Sequence, residues 1–486
     1  MLLEFAIEES TNYPNLLIMQ SAPKRSRGET NRSASNSTLR RWSVVLKLIA
    51  ILSTASAQTL FAAGTPEYIA ATSPDANLLE DANNATDTLG FNNVFNDLRS
   101  QLKQIADLTP ETGIPFIDDT EFQLASRSYY LHREFGDGQT SEAFATGGSL
   151  GLKTGRWHDV ASIGLTTYTS QKVHGPDDRD GTGLLKPGQK SYTLVGEGYL
   201  DLKFEPVQFA FGYQRIDLPY LNGHDIRMTP NTFEAYTAVY TVSEGFDIGV
   251  GYFDKIRTRT SYNYISMSER AGAIGSDEGV YAIGARYKIF ERFNIGWVDL
   301  YNPDTFNTFY IESSTNFELF DVIDVKTALQ FTDQSSVGDE LIGDFHTQHY
   351  GAKWASTYEN LTVAAIYTYT ANDRGAQTPW GGSPSYNSIM LADFDRAGER
   401  AYGTSVSYNF SSPYLEDFST SFRWVYGDTP DSKSEDQREV NLNLDYRPEA
   451  IENLWLRLRY GHNNSVGNDR EDIDDFRVII NYALAF

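Results

Sequence analysis

Six apolar residues stand at every second position through the final stretch: Phe476, Val478, Ile480, Tyr482, Leu484 and Phe486. Arg477, Asn481, Ala483 and Ala485 fall between them. A period of two puts the two sets on opposite faces of a β-strand. The pattern recurs upstream. Leu454, Leu456, Leu458 and Tyr460 alternate with Trp455, Arg457, Arg459 and Gly461, and Val440, Leu442, Leu444 and Tyr446 with Asn441, Asn443 and Asp445. Phe418–Tyr426, Tyr402–Phe410, Val207–Tyr213 and Phe246–Tyr252 repeat it.

A soluble sandwich also alternates, but its inner face is dry. Here the polar face carries Arg, Asp and Glu. Burying Arg457, Arg459 and Arg477 in an apolar core would cost several kcal/mol for each unpaired ion. A water-filled lumen removes that cost, and lipid then covers the apolar face. The segments from 119–134 to 473–486 predict eighteen strands. Short links such as Glu205-Pro206 and Ser243-Glu244 tend to alternate with long ones, among them 172–189, 217–230, 258–277, 334–342, 372–397 and 465–472. Short turns on one side and longer loops on the other predict an all-β, 18-stranded antiparallel transmembrane β-barrel.

Composition fits. The chain has no cysteine, 30 tyrosines and 28 phenylalanines. A chain that crosses an oxidising compartment unfolded gains by lacking thiols. Mean hydropathy is −0.42, and no apolar run reaches the roughly 18 residues of a transmembrane helix. The net charge of −25 argues against a nucleic-acid partner, because phosphates would be repelled.

The front of the chain reads as targeting sequence. Arg40 and Arg41 precede an apolar stretch from Trp42 to Leu52, and Ala55-Ser56-Ala57 offers a cleavage site, with a second after Ala63. A short buried helix is the alternative for that stretch. We divide the chain into a cleaved leader and signal peptide, 1–57, a periplasmic linker with a short helix, 58–115, and the barrel, 116–486. In the linker, Phe91, Phe95, Leu98, Leu102 and Ile105 form a heptad seam. That helix would pack on its own barrel or a neighbour, or trimerise.

Catalytic and metal motifs are weak. Gly147-Gly148-Ser149-Leu150-Gly151 matches a nucleophile elbow, but it lies inside an alternating strand instead of a strand-to-helix turn. His346 and His349 lack a zinc pattern. Asp177, Asp178 and Asp180 offer calcium ligands at a spacing that departs from the known loop. The chain reads as neither an enzyme nor a cofactor or metal protein.

Several blocks in order resemble the OprD-like substrate-specific porins, which include the chitoporins. They are 116–120 and 127–130, 181–185, 218–221 and 228–235, 382–386 and 393–402, and 472–486. The resemblance implies an outer-membrane channel narrowed by inward-folded loops. It also implies a ladder of basic residues on one wall, facing an acidic or aromatic pocket. The ladder falls on Arg457, Arg459 and Arg477, which periodicity also turns inward. Arg423, and Arg286 with Lys288, are further inward positives. Loops 217–230 and 372–397 are the candidate constriction, with Asp217, Asp225, Tyr386, Asp393 and Asp395 as the opposing pocket. The expected solutes are amino acids or other small carboxylates, with chitin oligosaccharides as the alternative. A non-conducting structural or adhesive barrel is the alternative from another class. Expected partners are outer-membrane lipids, lipopolysaccharide and the barrel-assembly machinery, which would read Phe486. The chain would act as a monomer or homotrimer.

Overall fold

Lipid offers no hydrogen bonds, so a membrane-spanning sheet must pair every strand on both sides. The computed structural model meets this demand. It describes residues 112–290, 292–430, 435–465 and 472–485. The leader, the cleavage site, the seam from Phe91 to Ile105 and the terminal Phe486 lie outside the described residues.

A single helical turn, α1 (Pro115–Asp118), precedes the first strand. Among the described residues, eighteen strands of eight to fifteen residues follow, setting aside two-residue bridges in the loops. They are β1 (Glu121–Phe135), β2 (Thr140–Lys153), β3 (Ala161–His174), β4 (Tyr192–Phe204), β5 (Val207–Gln214) and β6 (Thr232–Ser243). Next come β7 (Phe246–Arg257), β8 (Val280–Ile289), β9 (Phe293–Asn302), β10 (Phe306–Leu319), β11 (Ile323–Ser336) and β12 (His346–Tyr358). The last six are β13 (Leu361–Thr370), β14 (Arg400–Asn409), β15 (Phe418–Asp428), β16 (Gln437–Tyr446), β17 (Trp455–Ser465) and β18 (Ile473–Ala485). Each pairs antiparallel with its sequence neighbours. The ring closes where β1 meets β18, in a register running from Gln123 opposite Ala485 to Phe135 opposite Ile473. The fold is a closed 18-stranded antiparallel barrel.

The faces sort as the alternation predicts. Tyr281, Tyr402, Leu458, Tyr460 and Phe476 are exposed on the outer wall, while Arg477, Asp475 and Asn441 are buried inside. A core that is polar within and greasy without is the arrangement of a membrane barrel. One slip in register would turn every arginine to lipid, at about 2–4 kcal/mol each near the midplane.

The apolar core is at the long-loop end, where loops fold into the lumen. Tyr220 and Leu221 of loop 215–231 and Trp380 of loop 371–399 pack against Phe233, Phe306 and Leu300 of the wall. Trp380 stacks on Phe306 with ring centroids 5.0 Å apart. Its indole N–H donates to the Met267 carbonyl at 2.8 Å, tying in the short helix α2 (Met267–Ala271). The Asn222 amide donates to the Trp380 carbonyl at 3.2 Å. One residue therefore joins three loops to the wall.

Truncating Trp380→Ala should cost about 3–5 kcal/mol of local stability, the range for a buried Trp. Protease cleavage within 371–399 should rise and single-channel conductance should increase. Unchanged protection and conductance would contradict this role.

Candidate functional site

The wall strands place basic residues in rows. On β17 and β18, Arg459 stands opposite Arg477, and Trp455 opposite Asn481. Across the closing seam, Arg477 faces Leu131, Asp475 faces Arg133 and Asn481 faces Arg127. Like charges opposite each other repel, so the wall must supply acids. Asp475 accepts from Arg477 Nε at 2.6 Å and Arg133 Nε at 2.7 Å. Arg457 grips Asp445 through Nε at 2.6 Å and Nη2 at 3.1 Å. The Arg457 guanidinium also lies over the Trp455 ring, 4.3 Å from its centroid. Arg459 differs: its Nε donates to Asn443 Oδ1 at 2.7 Å, and among the described residues no carboxylate pairs with it.

Loop 371–399 is stapled to this wall. Arg423 Nη2 donates to the Tyr386 carbonyl at 2.9 Å. Arg477 Nη2 donates to the Met390 carbonyl at 3.4 Å. Glu439 accepts the amides of Leu391 and Ala392, both at 2.9 Å. Asn441 accepts that of Met390 at 3.2 Å. Sequence reading had named Arg423 and Arg477 but missed Glu439 and Asn441, which share their lumen parity.

Loop 215–231 meets the other side of the seam. Asp225 pairs with Arg127 at 2.7 Å and lies 3.6 Å from Arg215. Arg127 also donates to the Arg227 carbonyl. Burial raises the Asp225 carboxyl, but the Arg127 and Arg215 guanidiniums outweigh it and hold it below its ordinary value. Asp225, expected in the opposing acidic pocket, is thus bound into the basic side. Asp217 lies 3.7 Å from Arg215, and burial keeps its carboxyl above the usual range.

The opposing acids sit on loop 371–399 and β10. Glu312 accepts from the Tyr310 hydroxyl at 2.6 Å. The nearby Tyr386 hydroxyl is buried, and it is pushed up by burial first and by Glu312 second. Asp393 accepts from Ser388 Oγ at 2.5 Å and Asp395 from Ser383 Oγ at 3.0 Å. Among the described residues neither has an ion-pair partner. Arg396, next in the chain, is committed to Glu399 at 2.8 Å.

Arg286 stands apart. It has lumen parity on β8, but it lies at the short-turn end, 82 % exposed, and holds Asp247 through Nε at 3.0 Å and Nη2 at 2.9 Å. A partner next door on β7 gives it a wall-bracing role. The other motifs have local partners. Gly147–Gly151 lies within β2. His349 Nδ1 meets Thr370 Oγ1 at 2.9 Å, and His346 Nε2 meets Asp333 at 2.9 Å. Asp177 reaches Lys172 at 3.4 Å, and Asp180 accepts the amides of Gly181 and Gly188. No cluster of three metal-ligating side chains occurs among the described residues.

A family model described as outer membrane porin, OprD family, matches residues 115–486. The chain belongs to the OprD family. It is an outer-membrane porin of the substrate-specific kind. Solved structures share the barrel at low identity. Pseudomonas aeruginosa OccK9 (OpdG) is 22% identical, with a TM-score of 0.69, over 76% of this chain and 100% of that one. P. aeruginosa OpdK, solved with vanillate, is 20% identical at TM-score 0.68, with the same coverages. Acinetobacter baumannii OccAB3 is 18% identical at 0.69, again over 76% and 100%. These likenesses establish the fold. No curated protein matches the chain. Porins of this family are channels for small solutes, not enzymes.

The acid pair predicts a pH dependence for this porin. Burial first and the neighbouring Asp393 second push the Asp395 carboxyl up to about 8, against the Ser383 hydrogen bond, with Glu399 adding to the rise. Asp395 is therefore protonated at neutral pH and ionises as pH rises. Cation-over-anion selectivity should rise between about pH 6 and about pH 9, and Asp395→Asn should flatten the rise. A wild-type ratio that does not change with pH would contradict the shift.

Proposed function

We propose that the channel passes small organic carboxylates, amino acids among them, along the wall formed by Arg127, Arg133, Arg457, Arg459, Arg477 and Arg423. The observation that carries this reading is the charge balance at the seam. Arg477 and Arg133 share Asp475, and Arg127 and Arg215 share Asp225. Arg459 is left without an acid. Each shared carboxylate neutralises one of its two guanidiniums, so the wall keeps excess positive charge where loop 371–399 narrows the lumen. Guanidinium forks bind carboxylates in two-point geometry, and a row of them passes an anion on if each contact is weak. Asp393 and Glu312 across the lumen would hold the ammonium end of an amino acid, and Asp395 would join them as it ionises. OpdK was solved with vanillate, itself a carboxylate, which agrees with this substrate class.

An oligosaccharide path would need exposed aromatic faces in the lumen. Trp455 lies between Arg447 and Arg457, and Phe253 is fully buried against Phe233. Neither is free to stack on a sugar. The lipid, assembly and oligomer expectations stay as proposed: contact with outer-membrane lipid and lipopolysaccharide, recognition of Phe486 by the assembly machinery, and a monomer or homotrimer.

The test is planar-bilayer conductance with competing solutes. Millimolar benzoate should block the current and chitin oligomers should not. Replacing both Arg457→Ala and Arg459→Ala should weaken the block about tenfold or more while the barrel still forms, since each lost charged hydrogen bond is worth about 1.5–3 kcal/mol. Unchanged carboxylate block in the double variant would remove the ladder from the account.

A further inference from the structure

Loops 215–231, 258–279 and 371–399 meet over a cavity of about 340 Å³ at the long-loop end of the barrel. Its polar lining is His224, Asn231, Thr258, Arg259, Thr260 and Arg270, and it contains no carboxylate. Two guanidiniums thus look into one small space without an acid. Among the described residues Arg259 pairs with no carboxylate, and its Nη1 donates to the His224 carbonyl at 3.3 Å.

The nearby acid cannot serve it. Asp225 attracts Arg259, but Arg127 and Arg215 already engage that carboxylate. Arg227, on the same loop, also lacks a carboxylate and donates to the carbonyls of Thr182 and Ile226 at 2.8 and 2.9 Å. Among the residues that line the cavity, positive charge therefore exceeds negative charge. The electrostatic environment is consistent with this. Burial first and the Arg270 charge next lower the Arg259 guanidinium against the pull of Asp225. Burial and the Arg259 and Arg227 charges push the His224 imidazole down to about 3, so it is neutral and adds no third charge. Its ring, and the hydroxyls of Thr258 and Thr260, can turn an N–H or O–H to a ligand.

The walls are held in place. Ser266 caps α2 by accepting the Glu269 amide at 3.1 Å. Trp380 anchors α2 through the Met267 carbonyl. Asn222 accepts the Gly382 amide at 2.9 Å, which joins two of the three loops. A ligand would meet a preformed site, which lowers the ordering cost of binding.

We propose that this cavity binds the carboxylate of a small organic acid between Arg259 and Arg270, with its apolar body against Ile265 and Pro379. The volume falls at the small end of ligand pockets. The apolar pair favours an organic acid over a bare inorganic ion. A solute moving inward would dwell here before it reached the seam arginines. That sequence of events rests on the channel reading, but the binding does not.

The experiment is titration calorimetry of the detergent-solubilised full-length protein with benzoate, and separately with inorganic phosphate. Wild type should show a benzoate site that is lost when Arg259→Gln and Arg270→Gln are combined. Arg270→Gln alone changes an exposed side chain that the fold does not use, and it should weaken that site several-fold. Benzoate binding unchanged in both variants would overturn the site. Phosphate binding as tightly as benzoate would overturn the organic-acid assignment. In bilayers, benzoate block from the long-loop side should weaken in the Arg259 and Arg270 double variant. If wild type conducts nothing while calorimetry shows Arg259-dependent binding, the channel reading fails and the site stands.

Discussion

Ionised side chains have to stay in water on one face of a sheet whose other face meets lipid, and the whole structure follows from that demand. An open sheet could not satisfy it. Its edge amides would be stranded in hydrocarbon at several kcal/mol each. Pairing β18 with β1 removes the edges, and closure encloses the polar faces around water. The arginines of β17 and β18 are tolerable only inside such a lumen. The tyrosines and leucines of the same strands are tolerable outside only because lipid is there.

The lumen is filled selectively. Loops from the long-loop end pack an apolar plug against one arc of wall, around Trp380 and Phe306. Toward the seam, Leu184, Leu185 and Met228 pack on Tyr129 and Leu131, and polar contacts hold loop 371–399: Arg423 and Arg477 to loop carbonyls, Glu439 and Asn441 to loop amides. The same guanidiniums therefore anchor the loop, and under the proposed reading they also charge the lumen. Sharing is what keeps charge available. Asp475 and Asp225 each serve two arginines, whereas a one-to-one pairing throughout would have left a neutral wall.

Much of this was legible in alternation alone. The eighteen strands follow from period two and the link lengths, with ends displaced by about three residues at most, and the alternation gives the inward faces of seven of them. The arginines of the last two strands turn inward as parity requires. The ladder's continuation was missed. Arg127 and Arg133 have the same parity on β1, but they lie 354 and 342 residues from their partners Asn481 and Asp475. Only ring closure brings them together, and applying closure to the parity pattern would have found them. Loop chemistry was not legible. Asp225 was assigned by charge to the acidic side, yet the fold of loop 215–231 delivers it to Arg127. Arg286 was grouped with the ladder by parity, but its height on β8 puts it at the far end, beside Asp247. Parity gives the face of a strand, and neither depth nor loop path. Arg457 pairs with a wall carboxylate, Asp445, while keeping its place in the row.

The central claim is that the ionic face looks into enclosed water and the apolar face into lipid. The chain has no cysteine, so single thiols can report on each side. Leu458→Cys and Arg459→Cys place a thiol on adjacent positions of β17, facing opposite ways. A membrane-impermeant, water-soluble thiol reagent should label Cys at 459 and reduce the current, and should leave Cys at 458 unlabelled in intact membranes. Labelling at 458 with protection at 459 would contradict the account.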